Sequence, residues 1–173
     1  MAPRRTLIAA LAAPLVLLAA CGGDDTSVAD PPVSPSTTSS SPTTPPQREA
    51  PEHFIRRWAD AEKAMQNSGR TNAYLSMSKG CEACGVLARI VTRYYARGGY
   101  IHWAGWSIRS ISHYPSSSGS VSFAVSALSA PTTFKKSATS NVQHLKGGPI
   151  TYVITLSPAT GPFHVSAKAQ LDQ

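Results

Sequence analysis

The chain has 173 residues, with 16 Lys and Arg against nine Asp and Glu for a formal charge of +7, 14 Pro and only three Cys. That length leaves room for one domain with one hydrophobic core. So few acids argue against chemistry built on paired carboxylates, and so few thiols against a dense disulfide framework.

Met1-Ala2-Pro3-Arg4-Arg5 is a basic opening, and Thr6 to Ala20 carries Leu7, Ile8, Leu11, Leu15, Val16, Leu17 and Leu18 without a charge. Residues 1–20 therefore read as a secretory signal. The apolar run stops short of the roughly 20 residues a membrane span needs and has Pro14 inside it, so a permanent helix is not expected. Leu18-Ala19-Ala20-Cys21 before Gly22 resembles the bacterial lipobox. The resemblance implies that Cys21 receives a diacylglycerol thioether, becomes the mature N-terminus and holds an exported protein on the outer face of the cell membrane. Two or three acyl chains, at about 0.8 kcal/mol per buried methylene, make release rare. Arg4-Arg5 leaves the export route open between the twin-arginine path and an ordinary Sec signal.

After Cys21, residues 22–50 contain almost nothing apolar and include Pro31, Pro32, Pro35, Pro42, Pro45 and Pro46 among serines and threonines. Such a segment forms no core. It leans to polyproline II and reaches at most about 90 Å at roughly 3.1 Å per residue, the pattern of a stalk. Ser36-Thr37-Thr38-Ser39-Ser40-Ser41 suits O-glycosylation or a bare linker equally.

Residues 51–173 carry the periodic hydrophobicity of a folded domain. Phe54, Trp58, Ala61 and Met65 predict an amphipathic helix after Pro51-Glu52, ending near Asn67-Ser68-Gly69. Tyr74 and Leu75 suggest a short helical turn. A third helix is expected after Gly80, with Val86, Leu87, Ile90, Val91, Tyr94 and Tyr95 on one side and Gly98-Gly99 stopping it. Strands follow. Tyr100 to Tyr114 reads as one, Val121, Phe123, Val125 and Ala127 alternate with serines as a second, and Thr133 to Thr139 gives a weaker third. Ile150 to Leu156 and Phe163 to Ala169 flank Ser157-Pro158-Ala159-Thr160-Gly161-Pro162 as a hairpin. Helices first and an antiparallel meander afterwards define an α+β domain, with apolar helix faces on one face of a sheet.

Cys81-Glu82-Ala83-Cys84 holds the two thiols that remain once Cys21 is acylated, and outside the cytoplasm a disulfide is the default. For so short a loop the chain-entropy model gives only about 2 kcal/mol. A redox pair is the sharper alternative, since a Cys-x-x-Cys at a helix start can have a depressed thiol pKa. Thioredoxin-like sites place a strand before the motif, whereas a helical region and Ser78-Lys79-Gly80 precede it here. Zinc wants four ligands, and no second Cys-x-x-Cys or paired-His motif follows, so no metal or cofactor is expected.

Gly80-Cys81-Glu82-Ala83-Cys84, the aromatic helix ending Tyr94-Tyr95-Ala96-Arg97-Gly98-Gly99 and the Trp-rich strand after it together resemble an uncharacterised family of actinobacterial lipoproteins with similar Pro/Ser/Thr-rich stalks. The resemblance covers roughly residues 50 to 170. It implies a fold similar to nuclear transport factor 2, a cone of helices over a bent antiparallel sheet, and no particular activity. Relatives tend to close on a Trp-bearing strand after an acidic-Gly turn, where this chain has Thr160-Gly161-Pro162-Phe163-His164-Val165.

No catalytic set emerges from the domain. Its acids are Glu52, Asp60, Glu62, Glu82 and Asp172, mostly expected on a helix surface or at the terminus. Ser76-Met77-Ser78-Lys79 matches Ser-x-x-Lys, but the partner motifs of penicillin-binding proteins are missing. Lys146-Gly147-Gly148-Pro149 lacks the Walker spacing and reads as a turn. Of His53, His102, His113, His144 and His164, His102 beside Trp103 and Trp106 is the candidate for a pocket. The domain holds 13 Lys and Arg against five acids, a balance of +8. Arg89, Arg93 and Arg97 recur along the third helix as a basic stripe expected opposite Leu87, Ile90 and Tyr94. The stripe suits a solvated face or contact with an anionic envelope component, whether headgroups, wall polymer or an acidic protein; nucleic acid is not an expected partner outside the cell. The sequence specifies no oligomeric state. The expected function is a non-enzymatic binding or interaction module of the cell envelope, the alternatives being a small envelope enzyme using the cone pocket or a thiol-redox protein using Cys81 and Cys84.

Overall fold

In a computed structural model that describes residues 49–116, 120–157 and 161–171, the first apolar stripe becomes helix α1, Pro51–Ser68. Proline in the first turn is preorganised for a helix, and Glu52 there complements the positive end of the dipole. Gly69 closes the helix in the left-handed region (φ 74°), its N–H donating to the Met65 carbonyl at 2.9 Å. The buried stripe is Phe54, Ile55, Trp58, Ala59, Glu62 and Met65. A short helix α2, Asn72–Ser76, buries Tyr74, and α3 spans Glu82–Ala96. The disulfide Cys81–Cys84 sits at the start of α3, where Cys81 Sγ also accepts the Cys84 N–H at 3.2 Å. Gly98 and Gly99 N–H groups donate back to Tyr95 and Tyr94, ending α3 at the expected glycines. Residues 1–48, Cys21 among them, lie outside the described residues, as does Asp172.

Among the described residues seven antiparallel strands follow: β1 Tyr100–Trp103, β2 Trp106–Tyr114, β3 Val121–Ser129, β4 Thr132–Lys135, β5 Gln143–Leu145, β6 Gly148–Ser157 and β7 His164–Gln170. They form two sheets, ordered β1-β4-β5 and β2-β3-β6-β7. The expected single strand from Tyr100 to Tyr114 is broken at Ala104-Gly105, where Gly105 adopts φ 96°, and its halves enter different sheets. The same break recurs at Ala130-Pro131 between β3 and β4, and at Lys146-Gly147 between β5 and β6. Because β1 pairs with β4 and β2 with β3, while β5 and β6 pair with those same neighbours, the two sheets are one surface bent at three adjacent breaks. The Ala130 N–H donates to the Gly105 carbonyl at 3.1 Å across the bend. A side chain at Gly147 would run into the Ala130–Pro131 backbone, which is why glycine stands there. Lys146-Gly147-Gly148-Pro149 is thus the third corner and the start of β6.

The fold is α+β, as expected: N-terminal helices packed on a bent antiparallel sheet. The core joins Phe54, Trp58, Met65, Tyr74, Cys84, Ala88 and Val91 to Phe123, Val125, Ile154, Leu156 and Val165. Phe123, Val125 and Ala127 are buried, as their alternation predicts. The α3 face differs from expectation. Cys84, Ala88 and Val91 are its buried residues, whereas Val86 and Ile90 are 41% and 36% exposed. With Cys84, Ala88 and Val91 facing the core, the helical step of about 100° per residue turns Val86 and Ile90 outward.

Candidate functional site

The bend in the sheet gathers side chains from distant parts of the chain. Trp103 and Trp106 flank the first break, Ser129 and Thr132 the second, and Ile150 follows the third. Asn67 on α1 fixes this corner: its amide donates to the Trp103 carbonyl at 2.7 Å and its side-chain oxygen accepts the Trp103 N–H at 2.9 Å. Alternation along β6 and β7 brings Tyr152 beside Ile150 and Gln170 beside Lys168, with Tyr152 and Gln170 directly paired. Glu62 and Gln66 of α1, and Ala83 and Leu87 of α3, are each four residues apart and so share a helix face. Together these twelve residues line a cavity of about 410 Å³, within the roughly 300–1,000 Å³ of small-molecule sites.

An ion pair lies in this lining. Lys168 Nζ is 3.0 and 2.9 Å from the two oxygens of Glu62, with side chains 10% and 3% exposed. Glu62 also accepts from the Tyr74 hydroxyl at 3.2 Å and from Gln66 Nε2 at 3.4 Å. The ammonium lies 4.5 Å from the Tyr152 ring centre, 4.6 Å from Trp106 and 5.4 Å from Trp58. Burying either charge alone would be costly; the pair, its hydrogen bonds and the ring faces offset that cost together. Burial, reinforced by the Glu62 charge, pushes both the Tyr74 and Tyr152 hydroxyls above the usual tyrosine range, so both stay protonated at neutral pH.

Trp106 stacks on Tyr152 at 5.0 Å and 16°, and meets Trp103 edge-on at 6.3 Å. Trp103 Nε1 donates to Ser129 Oγ at 3.2 Å, and the buried Trp58 Nε1 to Ser78 Oγ at 2.8 Å.

Of the residues singled out from sequence, Trp103 and Trp106 reach the cavity and His102 does not. It is exposed, pairs across strands with Thr133, and has its ring against Tyr100 at 4.7 Å. Strand alternation explains the correction, since His102 and Trp103 are adjacent and must point to opposite faces. Glu62, expected on a helix surface, is instead 2% exposed. The available signal is its place in the stripe Phe54, Trp58, Glu62, Met65. Lys168 and Tyr152 stand in strands whose facing only the sheet register fixes, whereas Gln66 lies one turn after Glu62 on α1. Ser76 Oγ donates to the Ala73 carbonyl at 2.8 Å, a local helix bond. Among the described residues no three His, Cys, Asp or Glu converge as a metal site, and no helix is long and apolar enough to cross a membrane.

Arg89, Arg93 and Arg97 are all exposed and have no ion-pair partner among the described residues. Arg89 and Arg93 border a second hollow of about 390 Å³ between α2 and α3, lined otherwise by Thr71, Leu75, Gly85, Ala88, Thr92 and Ala96. The stripe does not lie opposite Ile90, which shares the exposed side of α3 with it. Cys81 and Cys84, at 4% and 0% exposure, belong to the core.

No family model and no curated protein matches this chain. Among solved structures, the chain is similar to the intermembrane space region of the chloroplast protein ARC6, with 8% identity, coverage of 70% of this chain and 94% of that one, and a TM-score of 0.49. It is also similar to Aln2 from a Streptomyces species, with 14% identity, coverage of 72% and 93%, and a TM-score of 0.42.

Proposed function

We propose that the chain is an exported, lipid-anchored surface protein whose α+β domain is a non-enzymatic binding module of the cell envelope, with the Glu62–Lys168 cavity as its ligand site. The observation that carries this reading is the mutual engagement of the cavity's reactive groups. Both oxygens of Glu62 are taken by Lys168, Tyr74 and Gln66, and the Lys168 ammonium by carboxylate and rings. A general base needs a free lone pair facing substrate, and an amine nucleophile needs to lose its proton; this arrangement supplies neither. The enzyme alternative draws on the two protonated tyrosines near Glu62, which resemble an acid set without a base. The redox alternative is weakened by the burial of both sulfurs.

In this reading Cys21 anchors the chain, the Pro-rich segment spaces the domain from the membrane, and Arg89, Arg93 and Arg97 touch an anionic envelope component. Cys21→Ala should move the protein from the membrane fraction to the medium. The cavity itself is tested by screening neutral small molecules by ligand-observed NMR against the wild type and Ala83→Trp, which fills the exposed rim. Hits lost in Ala83→Trp support the reading; hits indifferent to it, or turnover of a hit, contradict it.

A further inference from the structure

We infer that the cavity at the sheet bend takes an uncharged, hydroxyl-rich ligand of the pyranoside class, a specificity that rests on the binding-module reading and deepens it. The first argument is electrostatic. Among the described residues, the only charged groups in the cavity lining are Glu62 and Lys168, which neutralise each other at 2.9 and 3.0 Å. An anionic or cationic ligand would lose its hydration and find no uncompensated opposite charge. A neutral ligand avoids that penalty.

The second argument concerns polar capacity. Thr132 Oγ1, the Gln170 side-chain amide, the Tyr152 hydroxyl and Trp106 Nε1 belong to lining residues and have no hydrogen-bond partner among the described residues. Donors and acceptors of this number recognise a ligand with several hydroxyls and reject an isostere lacking them. The third argument concerns the rings. A flat heterocycle is best held between two free aromatic faces, but Trp106 and Tyr152 stack on each other and Trp103 stands edge-on to Trp106. The rings form a wall for the apolar face of a sugar rather than a slot for an inserted plane.

All three tryptophans of the chain line the cavity or touch a ring that does, so intrinsic fluorescence reads the site. Three isosteric probes separate the charge classes: methyl β-glucopyranoside, the corresponding methyl glucuronide and the methyl glycoside of glucosamine. The neutral glucoside should give a saturable change with a Kd at least tenfold lower than either charged analogue. Glu62→Gln, which leaves Lys168 without its counter-charge, should shift preference toward the glucuronide by at least tenfold. Should that variant not fold, Thr132→Val and Gln170→Ala should each weaken glucoside binding at least fivefold. Equal or tighter binding of glucuronide by the wild type overturns the inference. Saturable binding of adenosine without glucoside overturns the sugar assignment but leaves the cavity reading standing; no saturable change with any probe overturns both.

Discussion

Replacing Lys168 with methionine removes the only cation paired with Glu62 among the described residues and leaves the aliphatic volume in place. The carboxylate would remain 3% exposed with Tyr74 and Gln66 as its remaining donors. Breaking one partner from a buried pair costs about 3–5 kcal/mol, a large part of the roughly 5–15 kcal/mol that holds a domain folded. At roughly 3–5 °C per kcal/mol for a domain of this size, Tm should fall by about 10–25 °C. Glu62→Gln/Lys168→Met should sit within about 1.5 kcal/mol of the wild type, because the amide keeps the Tyr74 and Gln66 contacts while the thioether packs among the same rings. Urea unfolding of the wild type, both singles and the double closes the cycle, provided the slopes match. If Lys168→Met loses less than about 1 kcal/mol, or the double variant is as unstable as that single, the pair is not the buried, mutually dependent unit described here.

Gly69→Ala should cost at least about 2 kcal/mol, since it adds the left-handed backbone penalty of about 1–2 kcal/mol to a Cβ that would meet Tyr95 Cγ at 2.6 Å. Gly80→Ala, at φ 80° with open space around it, should cost only about 1 kcal/mol; equal urea midpoints would remove the Tyr95 contact from the explanation. The raised Tyr74 hydroxyl keeps its proton in the folded state at a pH where the unfolded chain gives it up. The folded state then binds more protons, so stability is full below the ordinary tyrosine value of 10.0 and falls above it by about 1.4 kcal/mol per pH unit. Tyr74→Phe should flatten that alkaline fall, and an unchanged slope in pH-dependent unfolding would contradict it. Cys81→Ser/Cys84→Ala, which retains a capping oxygen at the start of α3, should lose about 2 kcal/mol with an unchanged circular dichroism spectrum; loss of the fold would mean the bond holds far more than one helix start. Arg89, Arg93 and Arg97 changed together to Ala should abolish low-salt binding to anionic liposomes, and binding that persists would reduce the stripe to solvation.

Local signals carry the helices and most strands. Pro51, Gly69 and Gly98-Gly99 mark helix ends through backbone preferences that act within a few residues, and the Phe123, Val125, Ala127 alternation needs only its own strand. The bend is hidden because Ile101, Trp103, Trp106 and Ile108 have strand composition on both sides of Ala104-Gly105. What turns the chain there is the neighbouring corners at Ala130-Pro131 and Lys146-Gly147. β5, only Gln143–Leu145 and wholly exposed, has no apolar alternation and exists by pairing with β4. The candidate site follows the same rule. Trp103 and Trp106 stand out by composition, but Glu62 and Lys168 are 106 positions apart and meet only once the helices are laid over the sheet, α3 being the helix that packs on β7.

The most direct test of the cavity as the ligand site is a titration of uniformly 15N-labelled protein with methyl β-glucopyranoside, following the indole N–H resonances. The Trp103 and Trp106 signals should shift together and saturably in the wild type, and stay fixed in Ala83→Trp. Shifts confined to the α2–α3 hollow around Leu75 and Arg89, or identical in both proteins, would contradict the account.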